Sequence, residues 1–143
     1  MPYYTISYNQ DTKYGENVGN GYSRYIVNDL LRGEYKYDGV VCTDWGVTGN
    51  VTGLDKFEGK PWGAENLTEG QRHYKILMAG VDQFGGNNAK GPVLEAYNLG
   101  VKENGEEFMR KRFEESAVRL LKNISSTAAA TARKKSILLL KKS

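Results

Sequence analysis

An apolar run that does not alternate, Val40-Val41-Cys42-Thr43, narrows the folds open to this chain. A strand with one wet face alternates apolar and polar residues. A run without alternation suits a strand buried on both faces, as in a parallel sheet. The run is entered through a tight Asp38-Gly39 turn. It leaves into an acid and an indole, Asp44-Trp45, followed by Gly46 and Gly49.

The segments around it support the same class. MPYYTISY is rich in tyrosine and β-branched residues and reads as a strand. QDTKYGENVGNGY is loop chemistry. A helix is predicted from an N-cap at Ser23, along the stripe Ile26, Val27, Leu30 and Leu31, to a C′ glycine at Gly33. After the 40–43 strand, residues 44–67 are irregular and rich in glycine. Thr68 and Gln71 then have the spacing of a capping box for a second helix ending at Gly80. GVDQF reads as a short strand, residues 93–103 as a modest helix, and Asn104 with Glu107 as the cap of a stronger one. Phe113, Ala117, Leu120, Leu121 and Ile124 form the stripe of that last helix. Strand, helix, strand, helix, strand, helix, helix is α/β order. From Ser125 onward the chain changes character, and this tail either extends the last helix or forms a separate strand.

Composition excludes several classes. One cysteine, Cys42, and one histidine can build neither an intrachain disulfide nor a zinc cluster. No apolar stretch approaches membrane-spanning length, and the opening residues lack the pattern of a signal peptide. The net charge of +3 is mild and gathers in ARKKSILLLKKS, which belongs to no recognition fold for nucleic acid. Neither nucleic acid nor membrane is therefore expected as a partner.

In parallel α/β folds, ligands bind outside the carboxyl ends of the strands. Asp44 and Trp45 stand there, ahead of a connection far longer than the usual two to six residues, and loops that long are usually functional or disordered. A carboxylate beside a flat indole suits the apolar C–H face of a sugar ring. The plain alternatives are a turn aspartate and a core tryptophan.

YDGVVCTDWG resembles the nucleophile motif of family 3 glycoside hydrolases, roughly G-F-x-x-S-D-W, with Thr43 in place of the commoner serine. YIVNDLLRGEYKYDGVVCTDWG is similar to the family's helix-then-strand segment. ILMAGVDQF resembles the next strand, RFEESAVRLLKNI the last barrel helix, and MPYYTISY the strand before the motif. The resemblance covers residues 1–124. It implies a partial (β/α)8 (TIM) barrel of about three βα units, family strands six to eight, followed by a tail over 125–143. That tail resembles a rearranged junction to the family's second domain.

The implied chemistry is retaining hydrolysis of terminal β-linked glucose or xylose. Asp44 would be the nucleophile, and Trp45 and Tyr4 would bind substrate. A second carboxyl, about 5 to 5.5 Å from the nucleophile in retaining enzymes, would protonate the leaving group. No metal or organic cofactor is needed for this reaction. The family's acid/base and the groups that hold sugar hydroxyls have no counterpart in these residues. The isolated chain is therefore expected to be inactive, and to self-associate or to need the missing barrel segments. Alternatives are a non-catalytic self-associating α/β fragment and a basic-tailed binding module. Among other carboxylates, Glu65, Glu69, Asp55 and Glu58 lie in or near the long loop and are read as solvated rather than as an acid/base, and Asp82 follows the A-G pair of the last strand, where a barrel-rim structural or subsite role is the lesser reading. His73 is read as a surface or packing residue rather than a catalytic one.

Overall fold

The computed structural model describes residues 1–51 and 59–140, with side chains as far as Thr127. A 3₁₀ turn at Asn20–Tyr22 leads into a π-helix at Tyr25–Glu34. Three α-helices follow: α1 (Glu69–Ala79), α2 (Lys90–Asn104) and α3 (Glu106–Leu140).

The predicted strands do not form ladders. Among the described residues, strand pairing is limited to two single bridges, Ile6 with Gly19 (antiparallel) and Cys42 with Gln83 (parallel). The parallel bridge still has the expected hydrogen bonds. The Gln83 amide donates to the Val41 carbonyl (3.2 Å) and the Thr43 amide donates to the Gln83 carbonyl (2.9 Å). On the other side, the Asp44 amide reaches the Pro2 carbonyl (3.1 Å). Three extended segments, near residues 2–5, 41–44 and 81–84, therefore lie side by side in chain order. The fold is mostly helical and compatible with a piece of an α/β protein. A parallel sheet draws its cooperativity from neighbours on both sides, and here only short contacts are available. Burial corrects the sequence reading too. Val41 and Thr43 are buried while Val40 and Cys42 are half-buried, so one face of this segment is covered more fully than the other.

The helices follow local chemistry closely at α1. The Thr68 hydroxyl accepts from the Gln71 amide (3.2 Å), and the Gln71 side chain accepts from the Thr68 amide (2.9 Å), completing the predicted box. Gly80 closes the helix at φ +108°, a left-handed conformation that costs glycine nothing. Elsewhere the ends differ from expectation. Ser23 does accept a bond from the Ile26 amide (3.2 Å), as a cap would. The helix it starts is wound with i→i+5 bonds, however, such as Tyr35 to Leu30 (2.9 Å). This widening carries Gly33 inside the helix and moves the positive φ to Lys36. Asn104 does not cap α3 either. Its amide donates to the Tyr74 hydroxyl (2.8 Å) and the Gly100 carbonyl (3.4 Å), and α3 begins after Gly105. As far as Leu140 the tail extends the last helix, the first of its two predicted forms.

Val18, Tyr22, Val27, Val41, Val47, Ala64, Ile76 and Val81 form the core, which the π-helix, α1 and the extended segments share. Each buried aliphatic side chain of this size contributes about 1.5–3 kcal/mol. Gly100 lets α2 approach α3, since a Cβ there would collide with the buried Met109 sulfur. On α3, Val118, Leu121 and Ile124 are exposed.

The polar centre is Asp82, whose carboxylate is fully buried. Its Oδ2 accepts from Arg32 Nη2 (2.6 Å) and the Val41 amide (3.0 Å). Its Oδ1 accepts from the Ser116 hydroxyl (2.7 Å) and Arg119 Nη1 (2.9 Å). Burial by itself pushes this carboxyl's pKa up. The Val41 amide, Ser116 and the two guanidinium groups outweigh it and hold the carboxyl below its ordinary value. One side chain thereby joins the π-helix, the 40–44 segment and α3. Replacing a member of such a network leaves buried cations without their counter-charge. Asp82→Asn is expected to lower stability by about 3–5 kcal/mol in urea unfolding. A loss below about 1 kcal/mol would show that the network is not what joins these elements.

Candidate active site

The end of the 40–43 segment is positioned by two glycines across from it. The Thr43 hydroxyl, buried, accepts from the Gly85 amide (2.8 Å). A Cβ on Gly85 would strike the Thr43 carbonyl, and a Cβ on Gly86 would strike the Trp45 ring. Gly86 also holds φ +67°. The indole thus lies over bare backbone, with 70% of its surface open to solvent. Asp44 is half-buried, and its Oδ1 accepts from the Trp45 amide (2.7 Å). That bond satisfies one carboxylate oxygen locally.

Tyr4 is half-buried and packed against the core. Its hydroxyl accepts a bond from Tyr3, and the two rings lie 3.9 Å apart. The bond to Tyr4 is the main influence raising the Tyr3 phenol above its ordinary value. The Asp44 charge adds to it, and Lys60 opposes it. Lys60 holds its ammonium 4.8 Å from the centre of the Tyr4 ring, and its amide donates to the Gly46 carbonyl (2.7 Å). The structure therefore groups Tyr3, Tyr4 and Lys60, near enough to Asp44 for its charge to act on the Tyr3 phenol, and sets Trp45 on Gly86. Tyr3 and Lys60 were not singled out in the sequence. The doubled tyrosine was the available signal for the first, and nothing local marked the second.

The long connection after Asp44 is closed at its base. The Gly59 amide donates to the Asn50 carbonyl (3.1 Å), and Gly59 lies so close to the Gly49 backbone that it cannot carry a side chain. Arg72, buried on α1, holds both arms. Its guanidinium donates to the carbonyls of Thr48 (3.2 Å), Gly49 (3.2 Å), Ala64 (3.0 Å) and Glu65 (3.1 Å), and to the Asn50 side chain (2.8 Å). The planar fork of arginine suits this task because it supplies five donors in fixed directions. Sequence gave no sign of it. An arginine on a helix is ordinarily a surface residue, and its role depends on which carbonyls the folded loop presents.

The other carboxylates stand elsewhere. Glu69 starts α1 and accepts from the Asn87 side chain (2.9 Å). Glu65 is exposed, and Asp55 and Glu58 lie outside the described residues. Asp82 lies in the buried network described above. His73 is a packing residue, the second of its two expected roles. It is fully buried against Phe84 (ring centroids 4.2 Å), with Nδ1 on the Glu69 carbonyl (2.8 Å). Its Nε2 has no hydrogen-bond partner among the described residues.

No protein-family profile matches the chain. Curated proteins do. A periplasmic β-glucosidase/β-xylosidase of Dickeya chrysanthemi is 40% identical over 112 residues, 70% of this chain and 17% of that protein. A β-glucosidase C of Emericella nidulans is 38% identical over 123 residues, 85% of this chain and 18% of that protein. A probable β-glucosidase C of Aspergillus oryzae matches to the same extent, at 38%. The chain thus spans about one sixth of the length of these relatives. Among solved structures, a β-N-acetylhexosaminidase of Beutenbergia cavernae aligns with 75% of this chain and 28% of its own, at 22% identity and a TM-score of 0.49.

Two expectations follow from this geometry. Arg72→Met removes the donors but keeps the bulk, leaving buried carbonyls unpaired. It should cost about 2–4 kcal/mol and speed amide exchange near residues 48–50 and 64–65. Unchanged exchange there would mean that the clamp does not hold the loop. Burial, in turn, keeps the His73 pKa below its ordinary value. Above about pH 6.5 the ring is neutral whether folded or unfolded. As pH falls below that value, the unfolded chain takes up a proton that the folded chain resists, so stability declines by up to about 1.4 kcal/mol per pH unit. Unfolding free energies between pH 7.5 and 5.5 should show this decline, and His73→Gln should flatten it; identical slopes would refute the assignment.

Proposed function

The chain belongs with the β-glucosidases of glycoside hydrolase family 3, and from that kinship we propose that Asp44 is the nucleophile of a retaining β-glycosidase centre. The observation that carries this is the coincidence of sequence and place. The carboxylate that falls in the family's motif stands at the carboxyl end of an extended segment paired in parallel with the next one. Residues 1–124 would then form the part of a (β/α)8 barrel that corresponds to strands six to eight, and residues 125–143 a junction beyond it.

The roles follow from the chemistry. The Asp44 carboxylate attacks the anomeric carbon as the bond to the leaving oxygen breaks, giving a covalent glycosyl-enzyme. Water then displaces the enzyme with retention of configuration. The Trp45 indole, open to solvent over Gly86, offers a flat face for the sugar. Tyr4, linked through Tyr3 to the surroundings of Asp44, donates or accepts at a sugar hydroxyl. The sugar is a terminal β-linked glucose or xylose, in keeping with what the matched proteins are called.

The acid/base and the clamps for the remaining hydroxyls come from outside these 143 residues. A nucleophile without its proton donor loses most of its transition-state stabilisation, so the 143-residue chain by itself should turn over little or no substrate. The test is a chimera in which residues 1–124 replace the matching segment of the Dickeya enzyme. The chimera should hydrolyse an aryl β-glucoside, and a 2-deoxy-2-fluoro glycoside should label it within residues 40–46. Asp44→Asn should reduce kcat about 10⁴-fold, the scale on which loss of one catalytic carboxylate acts in other hydrolases. An active chimera labelled elsewhere, or indifferent to Asp44→Asn, would overturn the assignment.

A further inference from the structure

Between the π-helix and α3 lies a cavity of about 490 Å³, within the ~300–1,000 Å³ range of small-molecule sites. Five cationic side chains line it: Arg24, Arg32, Lys111, Arg112 and Arg119. One carboxylate lines it, Glu115. Arg32, Arg112 and Arg119 are nearly buried, at 10%, 10% and 20% exposure, and all three converge on Asp82. Five cations thus share two carboxylates, and three positive charges are left without a counter-ion from the lining or from Asp82.

The excess is concentrated in a poorly solvated place. Burial, together with the neighbouring Arg119 and Arg32 charges, lowers the pKa of the Arg112 guanidinium, against the pull of Asp82 and Glu115. Arg112 already satisfies the Leu77 and Val81 carbonyls (3.1 and 2.6 Å) and the Ser116 hydroxyl (2.6 Å). Its hydrogen bonds are therefore met, while it shares the Asp82 charge, 3.8 Å away, with Arg32 and Arg119. At the mouth, Lys111 makes no hydrogen bond or ion pair among the described residues, and the Arg24 guanidinium rests only on the Tyr14 ring (5.4 Å). Fixed cations inside and two uncommitted cations outside make a site for a compact dianion.

We propose that this cavity binds a phosphate group, either as the free ion or as a phosphate ester. The site is separate from Asp44. Its Gly80 and Arg32 walls lie at the amino end of the 81–84 segment, whereas Thr43, Gly85 and Asp44 meet at the carboxyl end. The proposal therefore stands independently of the glycosidase assignment. An occupant would stabilise the π-helix against α3 by mass action.

The test uses the 143-residue chain with inorganic phosphate and with glucose 6-phosphate, each against sodium chloride of equal ionic strength. Phosphate at saturation should raise Tm by about 2–8 °C. Titration calorimetry should give one saturable site per chain. Tighter binding of the ester would assign the organic source, and equal or weaker binding the free ion. Lys111→Gln combined with Arg24→Gln changes two exposed side chains outside the buried network, and should weaken binding about tenfold or more. A shift no larger than that of matched chloride, or binding retained in full by the double variant, would overturn the proposal.

Discussion

A single buried carboxylate, Asp82, decides how this molecule holds together. The aligned apolar segments alone would give weak cohesion, since they make isolated bridges rather than a sheet. Asp82 supplies what the missing ladder does not. It accepts from the backbone of the 40–44 segment and from side chains on two helices that are far apart in sequence. Hydrogen bonds to a charged acceptor are stronger than neutral ones, and in a poorly solvated interior they are difficult to replace. Arg32 and Arg112 extend the same network to the carbonyls of Gly80, Leu77 and Val81, and so fix where the 81–84 segment begins. Cohesion at this level is ionic and directional, with the apolar core packed around it.

The sequence disclosed what local chemistry decides. The box at Thr68 and Gln71 and the left-handed Gly80 each need only a few neighbouring residues, and both stand where the spacing puts them. Pattern reading failed where partners come from far along the chain. Asn104 had the spacing of a cap, yet Tyr74 lies within reach and takes its amide. Gly33 had the position of a terminator, yet the wider winding carries the chain past it. Apolar character promised strands, and whether a strand forms depends on neighbours that no window of sequence describes.

The candidate site divides along the same line. Asp44 and Trp45 were legible from the motif, and Tyr4 from its likeness to the strand before it. Lys60 and Arg72 were not, because their side chains find partners far along the chain: the Tyr4 ring for one, and the carbonyls of Thr48, Gly49, Ala64 and Glu65 for the other. Catalytic groups are chosen for their chemistry and can be recognised by type. Groups that hold a backbone in place are chosen for reach, and several residue types can serve.

The winding of the Tyr25–Glu34 helix and the buried ion pair depend on each other. A π-helix has the geometry of an α-helix that has accommodated additional residues without losing its ends. Each residue of an α-helix turns the next by about 100°. Deleting one residue ahead of Arg32 would therefore let the helix relax and swing that guanidinium away from Asp82. The wide winding and the ion pair hold each other in place. A variant shortened by one residue in this helix should therefore lose the Arg32–Asp82 pair together with the wide winding.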